Sequence, residues 1–269
     1  MLTRFTNLIR YCRLVFLFAR TGRTSDFGFW RRFSLGLKIM HVYLKLRKDS
    51  ASTFPEQLVL LDAILRINRS ISGHIAEFGC YKGAASVILS IGAKITGRKL
   101  LVFDSFEGLP EPAEPVRNIA NGAILNYRKG MYAGSLSHVR QNIERYGEIT
   151  SVEFVQGYFS STLSTRQNNE KYAMIFEDAD LVSSVKDVLK YAWPKLNCGA
   201  PFFCHEARDL EVCEIFFDSD FWRVNFSCRP PGLVGAGMGL PLCFSGFDDI
   251  RINPILGRFG SCLAYVFKQ

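Results

Sequence analysis

"AEFGCYKGAAS", residues 76–86, decides how the rest of the chain is read. An apolar run ends in Glu77, glycines follow at Gly79 and Gly83, and small residues then open a helical pattern. Glycines between a strand and a helix let backbone close around a ligand. The spacing is E-x-G-x-x-x-G rather than G-x-G-x-x-G, and Tyr81 stands where a dinucleotide site needs its second glycine. A tyrosine there obstructs the approach of a pyrophosphate, and Glu77 would repel one. No G-K-[ST] follows, so the turn is not a P-loop. A cationic, phosphate-free ligand suits it better. S-adenosylmethionine carries an amino group, a sulfonium and a ribose, and the residues favour it over a nicotinamide dinucleotide.

Outward from the turn, the pattern alternates. "HIAEFG" reads as a strand, "GAASVILSIGAKI" as a helix and "RKLLVFD" as a strand ending at Asp104. A long loop rich in Pro and Gly follows, of the kind that covers a site. Then come helix "SLSHVRQNIERYG", strand "SVEFVQGYF", strand "KYAMIFEDAD", helix "SSVKDVLKYAWPKL", strand "GAPFFCHEA" and helix "DLEVCEIFFDSDF". A glycine-rich stretch, "RPPGLVGAGMGLPLCF", precedes a final strand, "GSCLAYVFK". Such strand–helix repetition predicts an α/β fold with a doubly wound, mostly parallel sheet. Upstream, "FPEQLVLLDAILRINRS" reads as a helix with Pro55 near its start, after a turn-rich joint at residues 50–57. The expected organisation is a basic helical extension over 1–50 and an α/β domain over 51–269.

Charge separates these two parts. Residues 1–48 hold eleven Lys or Arg against the single acid Asp26, a net of +10, while the remainder nets −2. The basic character of the whole chain, net +8, therefore belongs to the N-terminal segment. Its longest apolar run, Leu14–Ala19, is far short of the ~20 residues that span a bilayer, and no secretory signal is evident. Basic residues interleaved with aromatics fit either helices packed on the main domain or a peripheral contact with an anionic membrane through residues 1–48. Eight cysteines without a C-x-x-C pair read as reduced thiols, which predicts a cytoplasmic protein, peripheral to the membrane if the basic segment binds there. Nucleic acid is not an expected partner, because the basic charge lies away from the ligand edge and no N-P-P-Y-type motif follows the fourth strand.

In an open α/β sheet, ligands sit beyond the carboxyl ends of the strands. This sequence places there Glu77 to Gly83, Asp104, Gly157 to Phe159, Asp178 with Asp180, and His205 with Glu206. Asp104 follows Gly79 by 25 residues and can accept hydrogen bonds from ribose hydroxyls. Oxygen and imidazole groups on neighbouring strand ends can hold a divalent cation, with Asp178, His205 and Glu206 as the expected ligands. Such a cation would orient an acceptor hydroxyl while His205 or a carboxylate takes its proton. His41 and His74 read as structural, and His138 lies on a helix face.

Five stretches, "EFGCYKGAAS", "VFDSFEGLPEP", "GMYAGSLSHVRQNI", "VEFVQGYFSSTL" and "DADLVSSV", resemble in order and spacing the macrocin O-methyltransferase family. The resemblance covers about Phe54 to Phe217. It implies a seven-stranded Rossmann-like sheet of the class I methyltransferase type, S-adenosylmethionine as cofactor, Mg2+ as the cation, and transfer of methyl to a hydroxyl of a sugar or glycosylated natural product. It implies that Glu77, Gly79 and Gly83, with Tyr81 in the same turn, surround the methionine part of the cofactor. Asp104 takes the ribose with Ser105 and Phe106 nearby, Gly157, Tyr158 and Phe159 lie by the adenine, and Asp178 binds the metal and faces the substrate. Two departures stand out. Val182 and Val185 replace a Tyr and a Thr after the D-x-D, and His205-Glu206-Ala207 replaces an Asp-Asp-Tyr. The rival readings are a nicotinamide-dependent oxidoreductase and a non-catalytic S-adenosylmethionine-binding protein acting at a membrane. Homo-oligomerisation stays open.

Overall fold

The computed structural model describes residues 2–21, 27–166, 169–240 and 261–269, with side chains from residue 8 onward. Part of the glycine-rich stretch, 241–244, and Cys243 with it, lie outside these residues. Two helices, α1 (Leu2–Arg20) and α2 (Phe29–Leu46), precede α3 (Phe54–Arg66). The strand–helix series is β1 (His74–Phe78), α4 (Ala84–Ile95), β2 (Leu100–Asp104), the small hairpin β3 (Val116–Arg117) and β4 (Ile124–Leu125), α5 (Leu136–Tyr146), β5 (Val152–Gln156), α6 (Phe159–Thr165) and β6 (Tyr172–Glu177). It continues through α7 (Val182–Ala192), β7 (Pro201–Cys204), α8 (Leu210–Ile215), α9 (Ser219–Phe226) and β8 (Ala264–Phe267). The stretch read as one helix at residues 209–221 is two, because Phe216 and Phe217 close α8 in a turn and Asp218 caps α9 from its side chain. The run after β5 continues into α6 rather than ending as strand exit.

The main sheet runs β5-β2-β1-β6-β7-β8. Every pairing is parallel except β7 with β8, which is antiparallel. Six strands are thus described in this sheet, and a seventh is not among the described residues. Because both faces are covered, the strands read as nearly continuous apolar runs. Leu100 and Val102 point into one core with α3 and α4, while Leu101 and Phe103 point into the other with α7 and α8.

Helices α1 and α2 share the first of these cores: Leu14, Val15, Phe18, Ile39 and Val42 are buried with Leu58 and Leu61 of α3. Gly36 lets the two helices close, since a Cβ there would meet the Val15 side chain at 2.9 Å. Arg32 is fully buried yet charged. Its guanidinium pairs with Asp62, donates to the Phe18 carbonyl at 3.1 Å and lies over the Phe18 ring. Arg66 completes the cluster at 2.7 Å from the other Asp62 oxygen. A buried pair of this kind is costly to break from one side.

What matters for function is the edge that the register creates. Phe78 pairs with Phe103 and with Glu177, and Glu177 pairs with Cys204. Gly79, Asp104, Asp178 and His205, each at or just beyond those positions, therefore emerge side by side at one end of the sheet. The strand order reverses between β1 and β6, the place where such folds open a crevice.

Candidate active site

The turn after β1 is built by glycine. Gly79 has φ +85° and its missing Cβ leaves room for the Asp178 carbonyl, which a side chain would meet at 2.0 Å. Gly83, at φ +82°, caps α4 against Val139. Between them Tyr81 itself adopts a left-handed φ of 49°, which carries its ring to the edge of Tyr132, 5.9 Å between centroids.

These elements surround a cavity of about 450 Å³, a volume suited to a small molecule. Of the residues singled out from the sequence, Gly79, Tyr81, Asp104, Ser105, Gly157, Tyr158, Phe159, Asp178, His205 and Glu206 line it. Glu77, Gly83 and Phe106 do not. Glu77 is fully buried behind the turn, with neither carboxylate oxygen hydrogen-bonded. Burial holds its pKa well above the ordinary carboxylate range. Phe106 turns at φ 58° into the core against Phe154. The loop after Asp104 supplies Leu109, Tyr127 and Tyr132 to the wall, and the hydroxyl of Tyr127 donates to Asp209 at 3.0 Å.

Asp104 is fixed by two backbone amides, Cys80 and Phe106, each at 2.6 Å and each on a different oxygen. A carboxylate offers about four acceptor sites, so roughly two remain for hydroxyls in the cavity. Burial raises its pKa, and hydrogen bonding from the Cys80, Phe106 and Tyr81 backbone and from the Cys80 side chain opposes that.

On the other side of Gly79, ligand-type oxygens of Asp178, Asp180 and Glu206 lie within 4.8 Å of one another. The geometry comes from the β6–α7 turn. Asp180 sits at φ 59°, and its amide donates to Glu206 at 2.9 Å. Burial first, then the neighbouring carboxylates, push the pKa of Asp180 and of Glu206 well up. Three oxygen donors crowded in this way suit a hard divalent cation.

His205 is not among these three; Asp180 stands in the place expected for it. Its imidazole instead bridges two acids, with Nδ1 3.1 Å from Asp178 and Nε2 3.7 Å from Glu56, an ion-pair separation. Burial opposes protonation, but the two carboxylates prevail and hold the pKa well above that of a free histidine. The two contacts fix the ring beside Asp178, so that His205 orients that carboxylate within the cavity. Glu56 is held down to about 2: burial would raise it, and His205 together with Thr53 outweighs burial.

Sequence reasoning missed Glu56, Asp180 as a cluster member, and Tyr127 with Asp209. Asp180 was visible in the D-x-D. Glu56 was masked by its local role, since Thr53-x-x-Glu56 is a capping box for α3. Its other oxygen accepts from Ser261 and Cys262, more than 200 residues away, which no local pattern encodes. Val182 and Val185 are buried in the core beneath α7, so the two departures there serve packing.

Among solved structures, the O-methyltransferase NovP superposes with a TM-score of 0.63 at 19% identity, covering 88% of this chain and 98% of that one. The calicheamicin methyltransferase CalS11 gives 0.53 at 17% identity, covering 86% and 91%. Both establish the fold as that of the class I methyltransferases. In sequence, the tetracenomycin-C 4'-O-methyltransferase of Streptomyces olivaceus that acts on 8-demethyl-8-(2,3-dimethoxy-alpha-L-rhamnosyl)-tetracenomycin-C is 29% identical over 179 residues, 65% of each chain. The demethyldecarbamoylnovobiocin O-methyltransferase of Streptomyces niveus is 28% identical over 60% of this chain and 62% of its own length. The mycinamicin III 3''-O-methyltransferase of Micromonospora griseorubida is 25% identical over 70% and 87%. The match thus spans a little under two thirds of the length of the first two relatives. The model of the TylF family, macrocin-O-methyltransferase, matches residues 58–223, and the chain belongs to that family.

Proposed function

We propose that this protein transfers a methyl group from S-adenosylmethionine to a hydroxyl of a sugar or glycosylated small molecule, with a divalent cation, Mg2+ by its oxygen-donor set, held by Asp178, Asp180 and Glu206. The observation that carries the reading is the meeting, in one cavity, of a glycine turn, a half-satisfied Asp104 and a three-carboxylate cluster. Three relatives are named for methylation of such acceptors, which supports the substrate class.

The residues fit both groups. Asp104 keeps acceptor sites for ribose hydroxyls, and Gly79 and Gly157 present bare backbone to the cavity, with Tyr158 and Phe159 beside Gly157. The sulfonium, when bound, supplies an electrophilic methyl carbon; the cation supplies Lewis-acid polarisation of the hydroxyl. The protein does the rest. Asp178, oriented by His205, would accept the acceptor hydroxyl's proton as methyl passes from the cofactor's sulfur to that oxygen, the sulfur keeping the electron pair of the broken bond. Tyr81, Tyr127 and Tyr132 wall the cavity beside Asp178 and limit water. Alignment of oxygen, carbon and sulfur contributes most of the acceleration, about 7–11 kcal/mol in favourable intramolecular cases. Family membership sets the oxidoreductase reading aside.

The test is transfer of tritium from methyl-labelled S-adenosylmethionine to rhamnosyl or related glycosides. The expected result is Mg2+-stimulated transfer that Asp178→Ala abolishes. Cofactor binding without transfer to any glycoside would refute the substrate class.

A further inference from the structure

The outward face of the N-terminal helices exposes apolar side chains among cations, and its chemistry is specific. On α2, Trp30, Leu37 and Leu44 recur every seven residues and all three are exposed, Trp30 at 77%. Seven residues of helix close to within about 20° of two full turns, so the three form one stripe. Arg31, Lys38 and Lys45, each one residue on, form a second stripe alongside it. The opposite side of α2 is already committed, through Leu35, Ile39 and Val42, to the core.

Helix α1 extends the same surface. Ile9 and Phe16 are exposed, with Arg13 and Arg20 between and beyond them. The two faces join through aromatic rings: Phe16 meets Phe29 at 5.7 Å, and Phe29 meets Trp30 at 5.1 Å. Neither helix contains an acidic residue. On this face, Glu148 lies 3.7 Å from Lys38.

We infer that the α1–α2 face is a docking surface for an anionic lipid membrane, lying in the headgroup plane with Phe16, Trp30, Leu37 and Leu44 entering it. The charge supports this occupant: a net of +10 over residues 1–48 beside a remainder of −2 is complementary to an anionic surface. Apolar side chains surplus to the core, set among cations and including a tryptophan, match an interfacial helix. A second copy of the chain fits worse, because two such faces would bring unmatched cations together. Among the described residues no helix is long and apolar enough to cross the bilayer, so the contact is peripheral. The surface ends near the cavity, since Ala51, seven residues past Leu44, lines its wall. The inference is independent of the methyl-transfer reading.

The experiment is cosedimentation of the full chain with vesicles of phosphatidylcholine alone and of phosphatidylcholine mixed with phosphatidylglycerol. Binding to the anionic vesicles only is expected. It should collapse as salt rises from about 0.1 to 1 M, where the screening length falls from ~10 to ~3 Å. Arg31→Glu with Lys45→Glu should weaken it by about tenfold or more. Trp30→Ala with Leu37→Ser should weaken it as well while leaving the circular dichroism spectrum unchanged. Because Trp193 and Trp222 are buried, a fluorescence blue shift on adding anionic vesicles should vanish in Trp30→Ala. Equal binding to both vesicle types, no binding to either, or variants that bind like the parent would overturn the inference. So would sedimentation equilibrium showing a parent dimer that Trp30→Ala with Leu37→Ser converts to monomer, which would assign the face to a second copy.

Discussion

Two regions of this molecule concentrate charge of one sign, and they do so under opposite conditions. The ligand edge of the sheet crowds Asp178, Asp180, Glu206 and Asp209 into a partly buried cavity. The outer face of α1 and α2 spreads Arg and Lys over open surface. Buried like charges are expensive without a counter-ion, so the first arrangement points to something cationic that enters. Exposed like charges cost little, and there it is the apolar side chains among them that demand explanation. A carboxylate cluster thus speaks through its burial, and a basic helix through its hydrophobic residues.

Breaking the acidic pole should give the largest effect. Asp178→Ala removes the expected proton acceptor together with a cation ligand, and kcat/KM should fall by about 10⁴-fold. Isothermal titration should show affinity for S-adenosylhomocysteine changed by less than about threefold, since Asp178 belongs to the acceptor side. A comparable loss of cofactor binding would move Asp178 out of that role.

Between the two poles lies the Arg32–Asp62–Arg66 cluster that fastens the basic helices to the domain. Asp62→Ala leaves Arg32 buried and unpaired, and should cost about 3–5 kcal/mol of unfolding free energy in urea titration. A change below about 1 kcal/mol would mean that α1 and α2 are not part of the cooperative unit.

Asp104→Ala comes next. It removes the ribose acceptor and frees two backbone amides, and should weaken S-adenosylhomocysteine by about 30–150-fold, or roughly 2–3 kcal/mol. The smallest effect sharpens the part played by His205. Glu56→Gln removes one of the two negative charges on the imidazole, and its single acceptor oxygen can serve Thr53 or Ser261 and Cys262 but not both sides. It should lower kcat by about fivefold to tenfold with little change in KM for the acceptor, on the order of 1 kcal/mol. Asp178 would remain in place but be less firmly oriented. A change in KM alone would show that Glu56 acts only on structure.

How much of this was legible in the sequence depends on the range of the interaction. Residues 76–86 announce their strand, turn and helix, because the glycines, the apolar run and the helical spacing all lie within one local window. The row of Gly79, Asp104, Asp178 and His205 followed from the rule that parallel strands deliver their carboxyl ends to one edge. Which members of that row touch was not legible. Asp180 joins the cluster through a left-handed turn, and His205 leaves it because Glu56, on a helix before the sheet begins, pulls it the other way. Glu77 read as a ligand contact from its place beside Gly79, yet strand alternation turns it into the core, behind the turn. The outer face of α2 was legible as basic and aromatic, but the heptad spacing of Trp30, Leu37 and Leu44 acquires meaning only once the other side of the helix is seen to be buried.

The most direct test of the central claim is a calorimetric titration of S-adenosylhomocysteine into the full chain, run in parallel on Asp104→Ala. One site per chain, weakened at least about thirtyfold by the substitution, is the predicted result. Absence of binding to the parent chain, or equal binding to both, would contradict the assignment of this cavity to the cofactor.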